Sequence, residues 1–178
     1  MTRLILIPIL SLLNINTSPN FNVNYNNNYN KFNCIAYNIN KKLKWEDFSE
    51  RSGNYKVAAL TASVISYSVT DNGKYLDIKV FCYFDKKQSI VVTSNKKDYI
   101  LNHEQRHFDI TYIYAIKFVN ELKKEKELTY DKISSIYDDV NLQWNEYQNI
   151  YDLETRNSRD KDIQAIWDKK IQDQLDNL

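Results

Sequence analysis

The 178-residue chain is short of the residues that build many ligand sites: it has Gly 2, Pro 2, Cys 2 and His 2. Two isolated glycines, Gly53 and Gly73, cannot make a G-x-G-x-x-G turn or a Walker A loop, so a Rossmann or P-loop nucleotide site is excluded. His103 and His107 are the only histidines, which excludes a three-histidine metal site and a Cys2His2 finger. Neither sign of charge dominates. Lys+Arg is 24 and Asp+Glu is 23, a net charge of +1, without the basic excess that marks a nucleic-acid binder. The densest run, Lys123 to Glu127, alternates in sign and reads as a solvated helix end. The one long apolar run, Leu4 to Leu13, is too short to span a bilayer as a helix, so no integral membrane segment is expected.

What is present is ordinary globular material, 43% hydrophobic and 26% charged. A chain of this length can bury roughly 70% of its unfolded surface without a disulfide or metal to hold it. Arg3 followed by the Leu4–Leu13 run has the form of an export signal over residues 1–18. That implies a secreted or periplasmic protein of the cell envelope. No A-x-A site follows the run, and a buried N-terminal strand is the other reading. An oxidising compartment would let Cys34 pair with Cys82; two buried thiols are the alternative. Residues 19–32 are rich in asparagine and read as a linker, with the folded domain over 33–178.

Within that domain strands come first and helices later, which predicts an α+β fold. Residues 33–38 and 89–93 are short strand candidates. The run from Val57 to Thr70, the turn Asp71-Asn72-Gly73 and the alternation Leu76, Ile78, Val80, Cys82, Phe84 predict a hairpin. A helix capped by Ser94 or Asn95 is expected from about Lys96 to Lys124, apolar nearly all round and therefore central. Two more follow, over about 129–153 and 160–176, with apolar residues at three- and four-residue spacing. Trp45, Phe48, Trp144, Tyr147 and Tyr151 read as core.

The central helix contains His103-Glu104-Gln105-Arg106-His107, an H-E-x-x-H sequence. Residues four apart share a helix face, so both imidazoles can reach one metal ion. Glu104, about 100° further round, is placed to meet a water held by that metal. Two neutral nitrogens, a polarised water and a carboxylate to take its proton are the parts of a zinc hydrolase. In chains of this composition the pattern arises by chance about once in two thousand. Asp109 should point away from this face.

Four blocks carry a family resemblance: Leu43-Lys44-Trp45-Glu46-Asp47-Phe48; Ala58-Ala59-Leu60-Thr61-Ala62-Ser63; Leu101-Asn102-His103-Glu104-Gln105-Arg106-His107-Phe108-Asp109-Ile110; and Tyr151-Asp152-Leu153-Glu154-Thr155 with Gln164 and Trp167. Over about 40–178 the chain resembles the bacterial domain-of-unknown-function 922 family, described as secreted zinc-dependent proteases. The resemblance implies a zincin-like fold, with a short antiparallel or mixed sheet, a central H-E-x-x-H helix and two further helices. It also implies a Zn2+ cofactor, a peptide or protein substrate, and Glu104 as the catalytic residue. The family pattern continues the fourth block to His-Gly, where this chain has Asn157 and Ser158. Two histidines leave a zinc site one protein ligand short. Glu154 is the first choice for the third metal ligand beside His103 and His107; Asp152, Asn157 and Asp160 are the alternatives. The substitution at 157 also leaves open a catalytically weakened or inactive metal-binding module. Asp152 is equally a candidate acceptor behind the histidines. Nothing in the sequence sets the oligomeric state.

Overall fold

The computed structural model describes residues 20–28 and 33–178. Seven strands precede three helices. They are β1 (Phe21–Tyr25), β2 (Cys34–Ala36), β3 (Ser49–Arg51), β4 (Ala59–Leu60), β5 (Ser63–Asp71), β6 (Leu76–Asp85), β7 (Ile90–Val92), α1 (Asp98–Lys124), α2 (Tyr130–Glu154) and α3 (Lys161–Asp176). The fold is α+β with mixed sheets.

Strand β6 is the axis of the larger sheet. Its alternate residues Leu76, Ile78, Val80, Cys82 and Phe84 are all buried, which is the period-2 burial of a strand with one face on the core. β5 pairs antiparallel along its length. β1 pairs parallel with Leu76–Val80 and β2 antiparallel with Tyr83–Asp85 on the other side. The β5–β6 turn occupies four residues, since Asp71 lies opposite Leu76. Gly73 supplies the positive φ of 78° that the turn needs, and the Asn72 side chain accepts from the Lys74 and Tyr75 amides. After Leu60 the chain passes from β4 into β5 and so changes sheets. β4 lies at one edge of a three-stranded sheet ordered β3-β7-β4.

Two expectations from the sequence need correction. The 19–32 segment is not a linker throughout, because β1 lies within it and the folded unit takes in residues well before 33. Phe21, Val23 and Tyr25 face the core while Asn22 and Asn24 alternate outward, and Asn22 donates to Asp77 at 3.1 Å. The asparagine-rich composition conceals a strand's alternation. The cysteines are not bonded to each other. Cys34 lies opposite Asp85, whereas the Cys82 carbonyl accepts from the Tyr37 amide. Three residues of strand put them roughly 10 Å apart, beyond the ~7 Å a disulfide can bridge. The pair therefore gives no support to an oxidising compartment. The expected signal over residues 1–18 lies outside the described residues. No helix among the described residues is long and apolar enough to cross a membrane.

α1 runs between the sheet and the other two helices, contacting β5, β6 and β1 on one side and α2 and α3 on the other. Ile100, Phe108, Ile110, Ala115, Phe118, Val119 and Leu122 are buried around it. Its start differs from expectation: Thr93–Asn95 form a 3-10 turn and Lys97 stands at the N-cap with no side-chain bond. Asp98 in the first turn and Lys123 and Lys124 in the last match the helix dipole instead. Thr129 caps α2 and Asp160 caps α3, each accepting a backbone amide in the next turn. The outcome of this layering is that the 103–107 face of α1 meets the C-terminal half of α2 and the start of α3.

Candidate metal centre

One turn of α1 separates His103 from His107. Their rings stand perpendicular, centroids 4.7 Å apart, with the two Nε2 atoms 3.1 Å from each other. From α2, Asp152 brings Oδ1 to 3.1 Å from each Nε2. His103, His107 and Asp152 form the one group of three or more metal-ligating side chains among the described residues. The preceding residue, Tyr151, is fully buried and stacks on His103 at 4.6 Å while meeting His107 edge-on at 4.9 Å. This ring holds the angle between the imidazoles.

The structure does not bring Glu154 to the cluster. Two residues on from Asp152 is about 200° round the helix, and the Glu154 carboxylate instead accepts from Trp167 Nε1 on α3 at 2.8 Å. Asp160 is occupied as the α3 cap. Asp152, one of the alternatives, occupies the third position. Asn157 lies in the wall of the same cleft, and Asp109 points away from it, as expected.

The hydrogen-bond roles around the histidines follow from their neighbours. Gln148 donates its Nε2 to the His107 carbonyl at 3.0 Å, which turns its Oε1 to His107 Nδ1 at 2.5 Å. Gln164 donates its Nε2 to the Asp168 carboxylate at 2.9 Å, which turns its Oε1 to His103 Nδ1 at 2.9 Å. Each Nδ1 thus carries a proton and donates it, and in the neutral rings both Nε2 atoms present lone pairs. Two nitrogen lone pairs and a carboxylate oxygen converge on one point. Hydrogen bonds among three acceptors cannot satisfy them; a cation can. Two donors 2.0–2.1 Å from one ion are about 3.4 Å apart in a tetrahedral site and about 2.9 Å apart in an octahedral one, so 3.1 Å fits a small divalent metal. The histidine, histidine and carboxylate donor set suits zinc among others.

The charges respond to this crowding. Burial alone would lower the His107 pKa, but its bond to Asp152 and the charges of Glu104 and Asp152 outweigh burial and raise it. Burial would raise the Asp152 pKa, but hydrogen bonds to it from the histidines once their Nε2 atoms are protonated, and the charges of those rings, hold it well below the usual carboxylate range. Glu104 is 4% exposed and its Oε2 has no hydrogen-bond partner among the described residues. It faces a cleft of about 550 Å³ that also touches His103, His107, Asp152, β4 and Asn157.

The cleft's far wall is a strained turn. Arg156, Asn157 and Ser158 follow α2 with φ of 52°, 53° and 68°, a left-handed conformation costing about 1–2 kcal/mol per residue outside glycine and, less severely, asparagine. The Asn157 amide donates to the Asp152 carbonyl at 2.8 Å and Thr155 Oγ1 to the Tyr151 carbonyl at 2.6 Å. The turn therefore ties down the end of the helix that presents Asp152. Ser158 holds a φ of 68°, which glycine adopts without strain.

No family model, no curated protein and no solved structure matches the chain. The chemistry of the site is read from its own geometry.

Spacing alone did not reveal Gln148, Tyr151 and Asp152 as a unit. They stand at i, i+3 and i+4 on one face of α2. The usable signal was polar: Gln148 and Asp152 on α2, and Gln164 and Asp168 on α3, are i, i+4 polar pairs on faces that otherwise carry core aromatics.

Proposed function

We propose that the protein is a zinc-dependent peptidase of zincin-like architecture. One observation carries the reading: three converging donor atoms 3.1 Å apart share a cleft with a buried carboxylate oxygen that has no partner among the described residues. His103, His107 and Asp152 would hold the ion. Zinc bound there supplies a Lewis acid that brings the pKa of water towards ~7 and polarises a carbonyl. Glu104 accepts the proton of the attacking water and passes it to the leaving amine. β4 gives the peptide a seat. The Ala58 carbonyl accepts from Val92, so by strand alternation the Ala59 amide and carbonyl are directed to the open edge, where an extended peptide can add as a further strand. The Asn157 side-chain amide in the cleft wall is a candidate hydrogen-bond donor to the carbonyl oxygen.

The presence of Asn157 favours a second reading, a metal-binding module with little turnover. Elemental analysis of untagged protein tests both readings. One zinc per chain, lost on His103→Ala, His107→Ala or Asp152→Ala, together with cleavage of an unfolded protein substrate that stops on Glu104→Gln, supports the peptidase. Zinc without cleavage supports the module. Absence of any transition metal overturns both.

A further inference from the structure

Asp168 touches neither histidine, yet it faces the group that orients one of them. Its carboxylate takes Gln164 Nε2 at 2.9 Å, Asn102 Nδ2 at 2.8 Å and Arg106 Nε at 3.1 Å. Gln164 is nearly fully buried, and its amide lies between this carboxylate and His103 Nδ1. A glutamine amide has two orientations of almost equal shape and opposite polarity. In the orientation present, Oε1 meets His103 Nδ1, the ring proton sits on Nδ1, and the Nε2 lone pair faces Asp152 and His107. In the reversed orientation Nε2–H would point at Nδ1, the ring proton would move to Nε2, and His103 would present an N–H where a metal needs a lone pair.

Carboxylate oxygens accept only, so reversal would set Gln164 Oε1 against an Asp168 oxygen at about the same 2.9 Å. Tyr151 does not decide between the two orientations: its hydroxyl accepts from Gln164 Nε2 at 2.7 Å, and both Gln164 Oε1 at 3.0 Å and the His103 carbonyl at 3.3 Å can take its proton, so the choice rests on Asp168. Arg106 and Asn102 hold the Asp168 carboxylate in place through their hydrogen bonds. We propose that Asp168 is a positioning residue that sets the tautomer of His103 through the Gln164 amide, and thereby keeps the nitrogen lone pair directed into the cluster.

The inference rests on the metal reading only for its purpose, since the tautomer is a property of the metal-free chain. It is tested on the full metal-free protein at about pH 8 by long-range proton–nitrogen NMR of the His103 ring, and separately by competitive titration with Zn2+ alone. In the parent the proton is expected on Nδ1. Asp168→Asn offers Gln164 a donor as well as an acceptor, so the Nε2-protonated form should appear and zinc affinity should fall about 10–100-fold, the usual loss when such a partner is removed. The double variant Gln164→Glu with Asp168→Asn exchanges the amide and the carboxylate. It presents only acceptors to Nδ1 and should return both the tautomer and most of the affinity, which a merely structural role for Asp168 would not do. An unchanged tautomer in Asp168→Asn overturns the proposal, whether or not affinity falls. Should the single variant not fold, the double variant decides, and a proton on Nε2 there overturns it. Failure of the parent to bind zinc would sink the metal reading and leave the tautomer result standing.

Discussion

Two buried carboxylates lie five residues apart on α1 and are treated in opposite ways. On the sheet side Asp109 is fully buried and saturated: Tyr37 Oη and Gln105 Nε2 donate to one oxygen at 3.0 and 2.7 Å, and Arg106 donates to the other at 2.9 Å. Lys42 lies 3.8 Å from the same oxygen. On the cleft side Glu104 is almost as deep and has an oxygen with no partner among the described residues. An unsatisfied buried polar group costs roughly 1–3 kcal/mol, more when charged. One carboxylate is surrounded by donors and the other is open towards the cleft; on the proposed reading Asp109 belongs to the structure and Glu104 to the chemistry.

The largest effect expected from this contrast is catalytic. Glu104→Gln should lower peptide hydrolysis by about 10²–10⁴-fold, the usual worth of a general base, with zinc content and melting temperature unchanged. Steady-state rates and elemental analysis check it, and loss of zinc or of stability would place Glu104 with Asp109 in the scaffold. Asp109→Ala should do the reverse, removing about 1–3 kcal/mol of stability by leaving the Tyr37 hydroxyl and the Gln105 amide without their buried acceptor, while Arg106 keeps Asp168. Urea unfolding measures this loss, and a value below about 1 kcal/mol would erase the contrast.

Protons should sharpen the comparison next. The raised His107 pKa means the metal-free fold gains stability from the charged imidazole. That gain is complete below the unfolded histidine value of ~6.5 and is lost as pH rises through the folded value. The lowered Asp152 pKa acts in the other sense: its contribution is present above the unfolded aspartate value of ~3.9 and is lost as pH falls through the folded one. Metal-free protein should therefore be stabilised by this pair most between about pH 4 and 6.5. Zinc must displace the His107 proton, so its affinity should begin to fall at a higher pH than an ordinary imidazole would give. Thermal melts and zinc titrations across pH 5–9 check both trends. Affinity that is flat down to pH 6 would remove His107 from the centre.

The smallest expected effect is in the turn after α2. Ser158→Gly should stabilise the protein by about 1 kcal/mol, because glycine adopts a φ of 68° without strain. A destabilisation seen in denaturant unfolding would show that the Ser158 side chain contributes more than its backbone strain removes.

The α+β order, the three helices, the β5–β6 hairpin and the shared face of His103 and His107 were legible in spacing. Each is a local periodicity that survives packing, as the five buried alternate residues of β6 illustrate. β1 was not legible, because Asn22 and Asn24 are the outward half of an alternation whose inward half, Phe21, Val23 and Tyr25, means something only beside β6. The α1 cap also escaped, since Ser94 and Asn95 are drawn into a 3-10 turn.

At the site itself, the chain order of residues was enough to place two imidazoles on one face of a helix and a carboxylate beside them, since helical phase is a property of consecutive residues. Which distant carboxylate joins them depends on the rotation of α2 against α1, and no local pattern carries that angle. Packing of Tyr151 between the two helices turns Asp152 inward and leaves Glu154, about 200° away, to meet Trp167. The same docking puts Gln148 and Gln164 behind the imidazoles. The choice of third ligand and of both tautomers is therefore a tertiary one: hydrogen bonds between separate helices exist only once those helices are packed.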